Sequence, residues 1–333
     1  AEKYKVKLQN EIELFFEQKP KSLVIGITGT NGKSTLSSLI SYILSNNKIK
    51  NVICGNFGNP TCLLDPLDRN VVIIELSSYQ LLSIPSLRLD FGVITNISND
   101  HLEYHGSFEA YLNAKLRLID SVKENGCLLV NHKDIFFKKK IKQRLKNISN
   151  LNIINTTGLN IETKNLIGKH NKILAEISYL IAQNFGLKTN SIKPSILNFN
   201  PLPHRMEIVY KSNHLQIIND SKATNGESAS AALKSFQNIH WIAGGLEKKD
   251  GLGKATKYLE KVEIIYLFGS SKRRFFKQLK DSDFHKEIYL FNNLKELIKY
   301  LFMKINKIKK DKVTILFSPA AASFDEYKNF EER

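Results

Sequence analysis

Short apolar runs alternate along the chain with longer stretches whose apolar residues recur every three to four positions. The runs Leu23–Ile27, Asn51–Cys54, Val71–Glu75, Gly92–Thr95, Cys127–Asn131 and Leu151–Ile154 predict strands. Ser34–Ser45, Phe108–Val122 and Lys169–Phe185 predict helices between them. That alternation is the pattern of an α/β fold with a mostly parallel sheet. Two prolines in Asn198-Phe199-Asn200-Pro201-Leu202-Pro203 interrupt helical periodicity and mark a boundary. The alternation then restarts with Met206–Tyr210, Leu215–Ile218, a helix from Glu227 to Phe236, His240–Ala243, Glu263–Phe268, Glu287–Leu290, a helix to Ile305, and Val313–Phe317. This second, smaller unit reads as Rossmann-like, although its loops lack the G-x-G-x-x-G fingerprint. No internal repeat is visible.

The most pointed local chemistry is Gly26-Ile27-Thr28-Gly29-Thr30-Asn31-Gly32-Lys33-Ser34-Thr35. It lies between the first apolar run and the first amphipathic one, so it is a strand, a glycine-rich turn and a helix start. Such a turn aims backbone N–H groups at one anion, the helix N-terminus adds positive potential, Lys33 adds a full charge, and Ser34 offers a hydroxyl to magnesium. A nucleoside triphosphate is the natural guest. An ordinary strand-to-helix turn can also contain Gly-Lys-Ser; the flanking strand and helix favour the phosphate reading. The strict P-loop spacing wants glycine where Ile27 stands, and the second glycine here is Gly29.

Composition changes this picture little. With 333 residues and 42% hydrophobic positions the chain can fill two ordinary cores. No apolar run approaches the roughly 20 residues of a membrane helix, and Ala1-Glu2-Lys3-Tyr4-Lys5 does not read as a signal peptide. The three cysteines, Cys54, Cys62 and Cys127, are too few and too scattered for a disulfide framework, so a reducing cytoplasm is the expected compartment. The formal net charge is +17. However, the lysines are spread among Asn and Ile along the whole chain, in runs such as 137–140 and 307–312 that read as exposed helix ends, and no basic-aromatic RNA module is present. The charge therefore fits compositional bias and an anionic substrate better than nucleic acid.

Two further strand ends carry polar groups. Val71-Val72-Ile73-Ile74-Glu75 ends in a carboxylate that can hold magnesium as Walker-B acids do, or simply face solvent, and Ser77 follows it. Val93-Ile94-Thr95 runs into Asn96-Ile97-Ser98-Asn99-Asp100-His101. Ligands of α/β sheets gather at such C-terminal strand ends. His101 can serve as a metal or phosphate contact, or be structural. His105, one turn on, makes no zinc site without a third ligand.

Taken together, Thr28–Thr35, Glu75-Leu76-Ser77-Ser78-Tyr79-Gln80-Leu81 and Thr95–Leu102 resemble the Mur ligase family in order and spacing. The second half narrows the resemblance. Leu202-Pro203-His204-Arg205, Asn219-Asp220-Ser221-Lys222-Ala223-Thr224-Asn225 and Ser318–Phe330 are similar to the members that add D-glutamate. The resemblance implies ATP-dependent amide-bond formation in peptidoglycan synthesis. ATP phosphorylates the carboxylate of UDP-N-acetylmuramoyl-L-alanine, the amine of D-glutamate attacks the acyl phosphate, and phosphate leaves.

Family roles then fall on Gly29, Thr30, Asn31, Gly32, Lys33, Ser34 and Thr35 for the phosphates, and on Asn171, Arg205 and Asp220 for the rest of ATP, with His204 close by. Ser34, Glu75, His101 and a carbamylated Lys115 would hold two magnesium ions. Lys33, Glu75, His101 and Lys115 form the catalytic set. Asn56 and Ser77 would contact the UDP-sugar, and Lys222, Thr224, Lys248, Ser323, Phe324 and Phe330 would frame the D-glutamate pocket. Without the motif, Lys115 on an amphipathic helix would read as a solvated charge.

The resemblance also implies a division into residues 1–20, the remnant of a preceding UDP-binding domain; 21–200, the central ATP-binding P-loop domain; and 201–333, the D-glutamate-binding domain. A few residues beyond Arg333 are expected as well. A monomer with no nucleic-acid or membrane partner is expected. Leu174 replaces an asparagine that the family often carries three residues after Asn171, and Ala321 stands where some relatives have cysteine. The competing expectations are a folylpolyglutamate-synthetase-like ligase, disfavoured by Asp220-Ser221-Lys222-Ala223-Thr224, and a basic P-loop protein that binds nucleic acid.

Overall fold

The computed structural model describes residues 9–130, 140–141, 143–145, 152–155, 158–305 and 312–333. Asn131 and Leu151, which end two expected strands, and most of the lysine runs at 137–140 and 307–312 lie outside these. Two compact units emerge. One contains the described residues up to Lys164 together with Asn171–Phe199; the other contains Asn165–His170 and Asn200–Arg333.

The first unit is built on a parallel sheet in the order β2-β3-β1-β4-β5-β6. Its strands are β1 (Leu23–Thr28), β2 (Asn51–Gly55), β3 (Val71–Glu75), β4 (Leu89–Ile94), β5 (Val122–Val130) and β6 (Asn152–Asn155). β1 and β3 are central, and their apolar side chains are buried on both faces: Val24, Val72 and Ile74 in one core, Ile25, Ile27 and Ile73 in the other. This is why they read as continuous apolar runs. Helix α1 (Glu11–Glu17) packs on one core through Ile12, Phe15 and Phe16. Its buried Glu13 accepts hydrogen bonds from Ser86 N at 3.0 Å and Ser86 Oγ at 2.8 Å. Helix α2 (Lys33–Asn46) covers the other core through Leu36, Ile40 and Leu44.

Two strands begin earlier than the apolar pattern predicts. β4 starts at Leu89 rather than Gly92, and β5 at Val122 rather than Cys127. The reason is one carboxylate. Asp90 accepts from the backbone N–H of Val24 at 2.8 Å and from Lys123 Nζ at 2.9 Å, so both charged residues sit inside neighbouring strands. A paired charge can occupy a strand position that its residue type disfavours.

The second unit has a sheet in the order β11-β10-β9-β12-β8-β7, parallel except for the β7–β8 pair. Its strands are β7 (Glu207–Lys211), β8 (Leu215–Asn219), β9 (Ile239–Gly244), β10 (Val262–Phe268), β11 (Glu287–Leu290) and β12 (Val313–Phe317). The helices Gly226–Ser235 and Lys272–Lys280 belong to one core, with Leu233, Trp241, Leu252 and Phe275; the helix Leu294–Ile305 supplies Leu297 and Leu301 to another. The expected fold class, a P-loop domain with a mostly parallel sheet and a smaller Rossmann-like domain, is the fold observed. Among the described residues no helix is long and apolar enough to cross a membrane.

Candidate functional site

In the first unit the site lies where β1, β3 and β4 end. β1 passes into the glycine-rich turn, and α2 begins at Lys33 behind Gly32, whose φ is +84°. Gly29 has φ +146°, and a Cβ there would lie 2.0 Å from Thr95 Oγ1. Only glycine lets the turn press this closely on the end of β4. The contact is sealed by hydrogen bonds. Thr30 N donates to Asn96 O at 2.8 Å, Asn31 N to Asn96 Oδ1 at 3.0 Å, Asn96 Nδ2 to Asn31 O at 2.9 Å, and Thr95 Oγ1 to Asn31 O at 2.7 Å. The N–H groups of Thr30 and Asn31 are thus engaged by Asn96, which leaves the expected anion contacts to other donors of the turn. Thr95 and Asn96 are the turn's scaffold, a role their place in the motif did not reveal.

Lys33 is half-buried and folds back, donating from Nζ to Gly29 O and Thr30 O at 3.0 Å each. Lys115, on helix α5 (Phe108–Asp120), is 2% exposed and donates to the same Gly29 O at 2.8 Å. One turn earlier on that helix, Tyr111 lies under the Lys115 ammonium, 4.9 Å from Nζ to ring centroid. Its hydroxyl is 2.9 Å from Thr30 Oγ1. Burial, then the nearby Lys33 charge, holds the Lys115 amine well below the usual lysine range, while Asp100 and Glu75 act in the opposite sense. Lys33, Lys115, Glu75 and Asp100 are therefore one electrostatic group. Apart from the motif, nothing in the pattern of helix Phe108–Asp120 predicts that Lys115 is buried.

Glu75 is 2% exposed. Its Oε1 accepts from Asn56 Nδ2 at 3.0 Å, while Oε2 is buried with no hydrogen-bond partner. An orphaned buried carboxylate oxygen is costly and calls for a cation or donor. Ser34, 4% exposed, sits at the first turn of α2. His101 has φ +53° and lies 3.6 Å from carboxylate oxygens of Asp100 and Glu103. Among the described residues no group of three or more His, Cys, Asp and Glu side chains could hold a metal. Magnesium commonly takes one or two carboxylates and completes its shell with phosphate and water, so a lone Glu75 oxygen and a serine hydroxyl fit it.

Ser77 caps helix α3 (Ser78–Leu81) and is bound to Gln80. Asn171, 6% exposed, lies on the helix Lys169–Asn184 one turn before Leu174, whose side chain packs on Gly32. The leucine that stands for a family asparagine is thus part of the turn's apolar backing.

In the second unit the candidate residues surround the ends of β8, β9 and β12. Asp220 Oδ1 accepts from Met206 N at 3.1 Å, and Oδ2 from Ser318 Oγ at 2.8 Å. His204, Met206 and Ala320 all have positive φ, so left-handed backbone strain clusters around this carboxylate. Arg205 is half-buried, and its charge lowers the Asp220 pKa. His204 Nδ1 lies 2.9 Å from Asn219 Nδ2, which can only donate to it.

Burial pushes the Asp220 carboxyl up to about 7 despite Ser318, Met206 and Arg205. The folded protein thus holds this proton more tightly than the unfolded chain. Its contribution to stability is fully present below about pH 4 and is lost as pH rises through about 7. The isosteric Asp220→Asn is expected to remove that loss, on the order of 4 kcal/mol at pH 8 and little at pH 4. Denaturant unfolding of both proteins at the two pH values checks it; an equal effect at each would contradict it.

Lys222 Nζ rests 3.8 Å from the centre of the Phe330 ring. Ser221 Oγ donates to Phe330 O at 2.8 Å, while Arg333 donates to Ser221 O at 2.7 Å, Ser221 Oγ at 3.1 Å and Ala321 O at 3.0 Å. Leu246 and Ala322 exchange two backbone hydrogen bonds, joining the loop that leads to Lys248 with the loop that carries Ser323. Lys222, Thr224, Lys248, Ser323 and Phe330 therefore belong to three mutually fastened loops. Phe324 is 68% exposed. Arg333 and Ser318 escaped sequence reasoning, because neither stands in a pattern that implies its partner.

Comparisons with known proteins agree with this geometry. Residues 27–192 match the Mur ligase middle domain, and residues 204–320 match the Mur ligase, glutamate ligase domain. The curated UDP-N-acetylmuramoylalanine–D-glutamate ligase of Rickettsia felis is 32% identical over 100% of this chain and 78% of its own length. The protein of the same name from Prochlorococcus marinus (strain MIT 9312) is 34% identical over 98% of this chain and 75% of its own. Among solved structures, MurF from Acinetobacter baumannii aligns with a TM-score of 0.72 at 18% identity, covering 94% of this chain and 76% of that one. E. coli FolC in complex with DHPP and ADP aligns with a TM-score of 0.69 at 16% identity, covering 93% of this chain and 89% of that one; both are likenesses of fold. On its two domain matches and its full-length relatives, the chain belongs to the Mur ligase family.

Proposed function

We propose that this chain is an ATP-dependent ligase that joins D-glutamate to UDP-N-acetylmuramoyl-L-alanine, acting as a cytoplasmic monomer in peptidoglycan precursor synthesis. The observation that carries the reading is that half-buried Lys33 and buried Lys115 both donate to Gly29 O of the glycine turn after β1, with the buried Glu75 carboxylate in electrostatic range of Lys115. The names of the full-length relatives supply the amino acid and the acceptor. In this reading residues 21–200 carry the phosphoryl chemistry and residues 201–333 hold the amino acid.

A carboxylate oxygen of the acceptor attacks the γ-phosphorus and ADP leaves. The amine then attacks the acyl carbon, the tetrahedral adduct expels phosphate, and the amine's proton passes to solvent. The protein's work is positioning and charge. Lys33 exchanges its two carbonyl partners for phosphate oxygens. Ser34, the free oxygen of Glu75, His101 and carbamylated Lys115 would hold magnesium, which when bound neutralises charge on the transferring phosphoryl group. In this reading Asn56 and Ser77 would contact the acceptor, and Asn171, Arg205 and Asp220 would serve ATP. In the second unit the Lys222–Phe330 contact is worth only about 0.5–1 kcal/mol, so a substrate carboxylate can take the ammonium from the ring.

The test is phosphate release from ATP. It should require both D-glutamate and the UDP-sugar and ignore DNA and RNA. Ser323→Ala is expected to raise KM for D-glutamate by about tenfold, the scale of one hydrogen bond to a charged group, with KM for ATP little changed. Equal shifts in both constants would count against a separate amino-acid pocket.

A further inference from the structure

Three loops carry the residues assigned above to D-glutamate, and one side chain outside that set fastens the last of them to the turn after β10. Asp325 lies two residues after Ser323 and five before Phe330. Its Oδ2 accepts from Ser270 N at 3.0 Å, in the turn between β10 and the helix Lys272–Lys280. Gly269 in that turn has φ +69°, and a Cβ there would lie 2.5 Å from Asp325 Oδ2, so the carboxylate is seated against bare backbone. The same turn grips the loop after β9. Ser270 Oγ donates to Gly245 O at 2.9 Å, and Ser271 N to the same oxygen at 3.0 Å.

With the two Leu246–Ala322 bonds these contacts form a closed circuit through the loops after β9, β10 and β12. Asp325 is the only charged member of that circuit's hydrogen bonds named here. Its negative charge sits at the positive end of a nine-residue helix and acts on the Arg333 guanidinium, which itself ties Ser221 to Ala321. Its other oxygen, Oδ1, is buried without a hydrogen-bond partner. A carboxylate kept at that cost calls for a role.

We infer that Asp325 is a positioning residue for the amino-acid substrate: it fixes the loop 318–330, and so Ser323 and Phe330, against the β10 turn. The inference rests on the reading of these loops as the amino-acid site. It predicts that Asp325→Ala loosens the loop and weakens amino-acid use, whereas Asp325→Asn, which keeps an acceptor for Ser270 N, largely restores both.

Two measurements separate this inference from the reading beneath it. Backbone hydrogen exchange across 318–330 needs no substrate; it should speed up by about tenfold in Asp325→Ala, with Asp325→Asn close to wild type. Unchanged exchange in the alanine variant overturns the inference whatever the substrate. In steady-state kinetics, Asp325→Ala should raise KM for D-glutamate by about tenfold and leave KM for ATP and the cooperative unfolding of the second unit nearly unchanged. A rise shared equally by ATP, or an asparagine variant as impaired as alanine, also overturns it. A wild-type enzyme that ignores D-glutamate but uses another amino acid defeats the substrate reading alone, and the same KM comparison with that amino acid then decides the role of Asp325.

Discussion

Lys33→Ala is expected to lower ATP turnover by about a thousandfold or more while the fold survives. The transferring phosphoryl group spreads negative charge over its oxygens, and a preorganised cation there is worth several kcal/mol because it stands in a site shielded from water. Lys33 is half-buried, its Nζ donates to two carbonyls of its own turn, and it is no member of the apolar cores, so truncation leaves those cores intact. Its midpoint of thermal unfolding should stay within about 3 °C of wild type, as expected for a loss well under 1 kcal/mol. Acyl-phosphate formation at the wild-type rate by a folded Lys33→Ala protein would refute the P-loop assignment. The variant should also raise the Lys115 pKa, since the Lys33 charge is one of the two causes holding it down.

What could be read from the sequence, and what could not, follows from where the information lies. Strands β1, β3, β9 and β12 are legible because each buries nearly every residue, so apolar content alone marks them. The helix Lys272–Lys280 escaped, since it buries only Phe275 and Leu279 among five basic residues. The helix Thr189–Asn198 contains Pro194, a residue that disfavours helix interiors, so its helical character is masked in the sequence. The four-residue helices Ser78–Leu81 and Leu102–His105 are too short to show a period. The extensions of β4 and β5 depend on the Asp90–Lys123 pair, and a pairing between strands is not written in either strand.

The same division holds within the candidate site. Gly29, Gly32 and Lys33 follow from the chemistry of phosphate and the strand–turn–helix context. Asn96, Tyr111, Ser318, Asp325 and Arg333 do not, because each acts by holding another residue's backbone, hydroxyl or carboxylate. Such partners become visible only when loops distant in sequence are brought together. The phosphate turn itself is only partly legible. Its pattern says that N–H groups converge, but not that Asn96 engages two of them.

Lys115→Ala is expected to lose activity by about a hundredfold or more, and a short-chain carboxylic acid should restore part of it. The amine is buried, close to the Lys33 charge and held well below the usual lysine range, so its neutral form is easier to reach than that of an exposed lysine. A neutral amine can form an N–C bond to carbon dioxide: the C=O π pair moves onto oxygen, and the nitrogen releases a proton to solvent. The resulting carbamate keeps one N–H for Gly29 O, which Nζ already contacts at 2.8 Å. It would also exchange repulsion between Lys33 and Lys115 for attraction and bring an anionic group within electrostatic range of Glu75, whose Oε2 has no hydrogen-bond partner. Each consequence stabilises a magnesium-binding arrangement, whereas an ammonium at 115 would oppose it. In the alanine variant the emptied space and the lost charge are both supplied by a small carboxylate, which is why rescue should saturate with acetate or formate and fail with a neutral amide of the same size. Normal activity in Lys115→Ala, or loss of activity that no carboxylate relieves in a protein still folded and still binding ATP, would end the carbamate assignment.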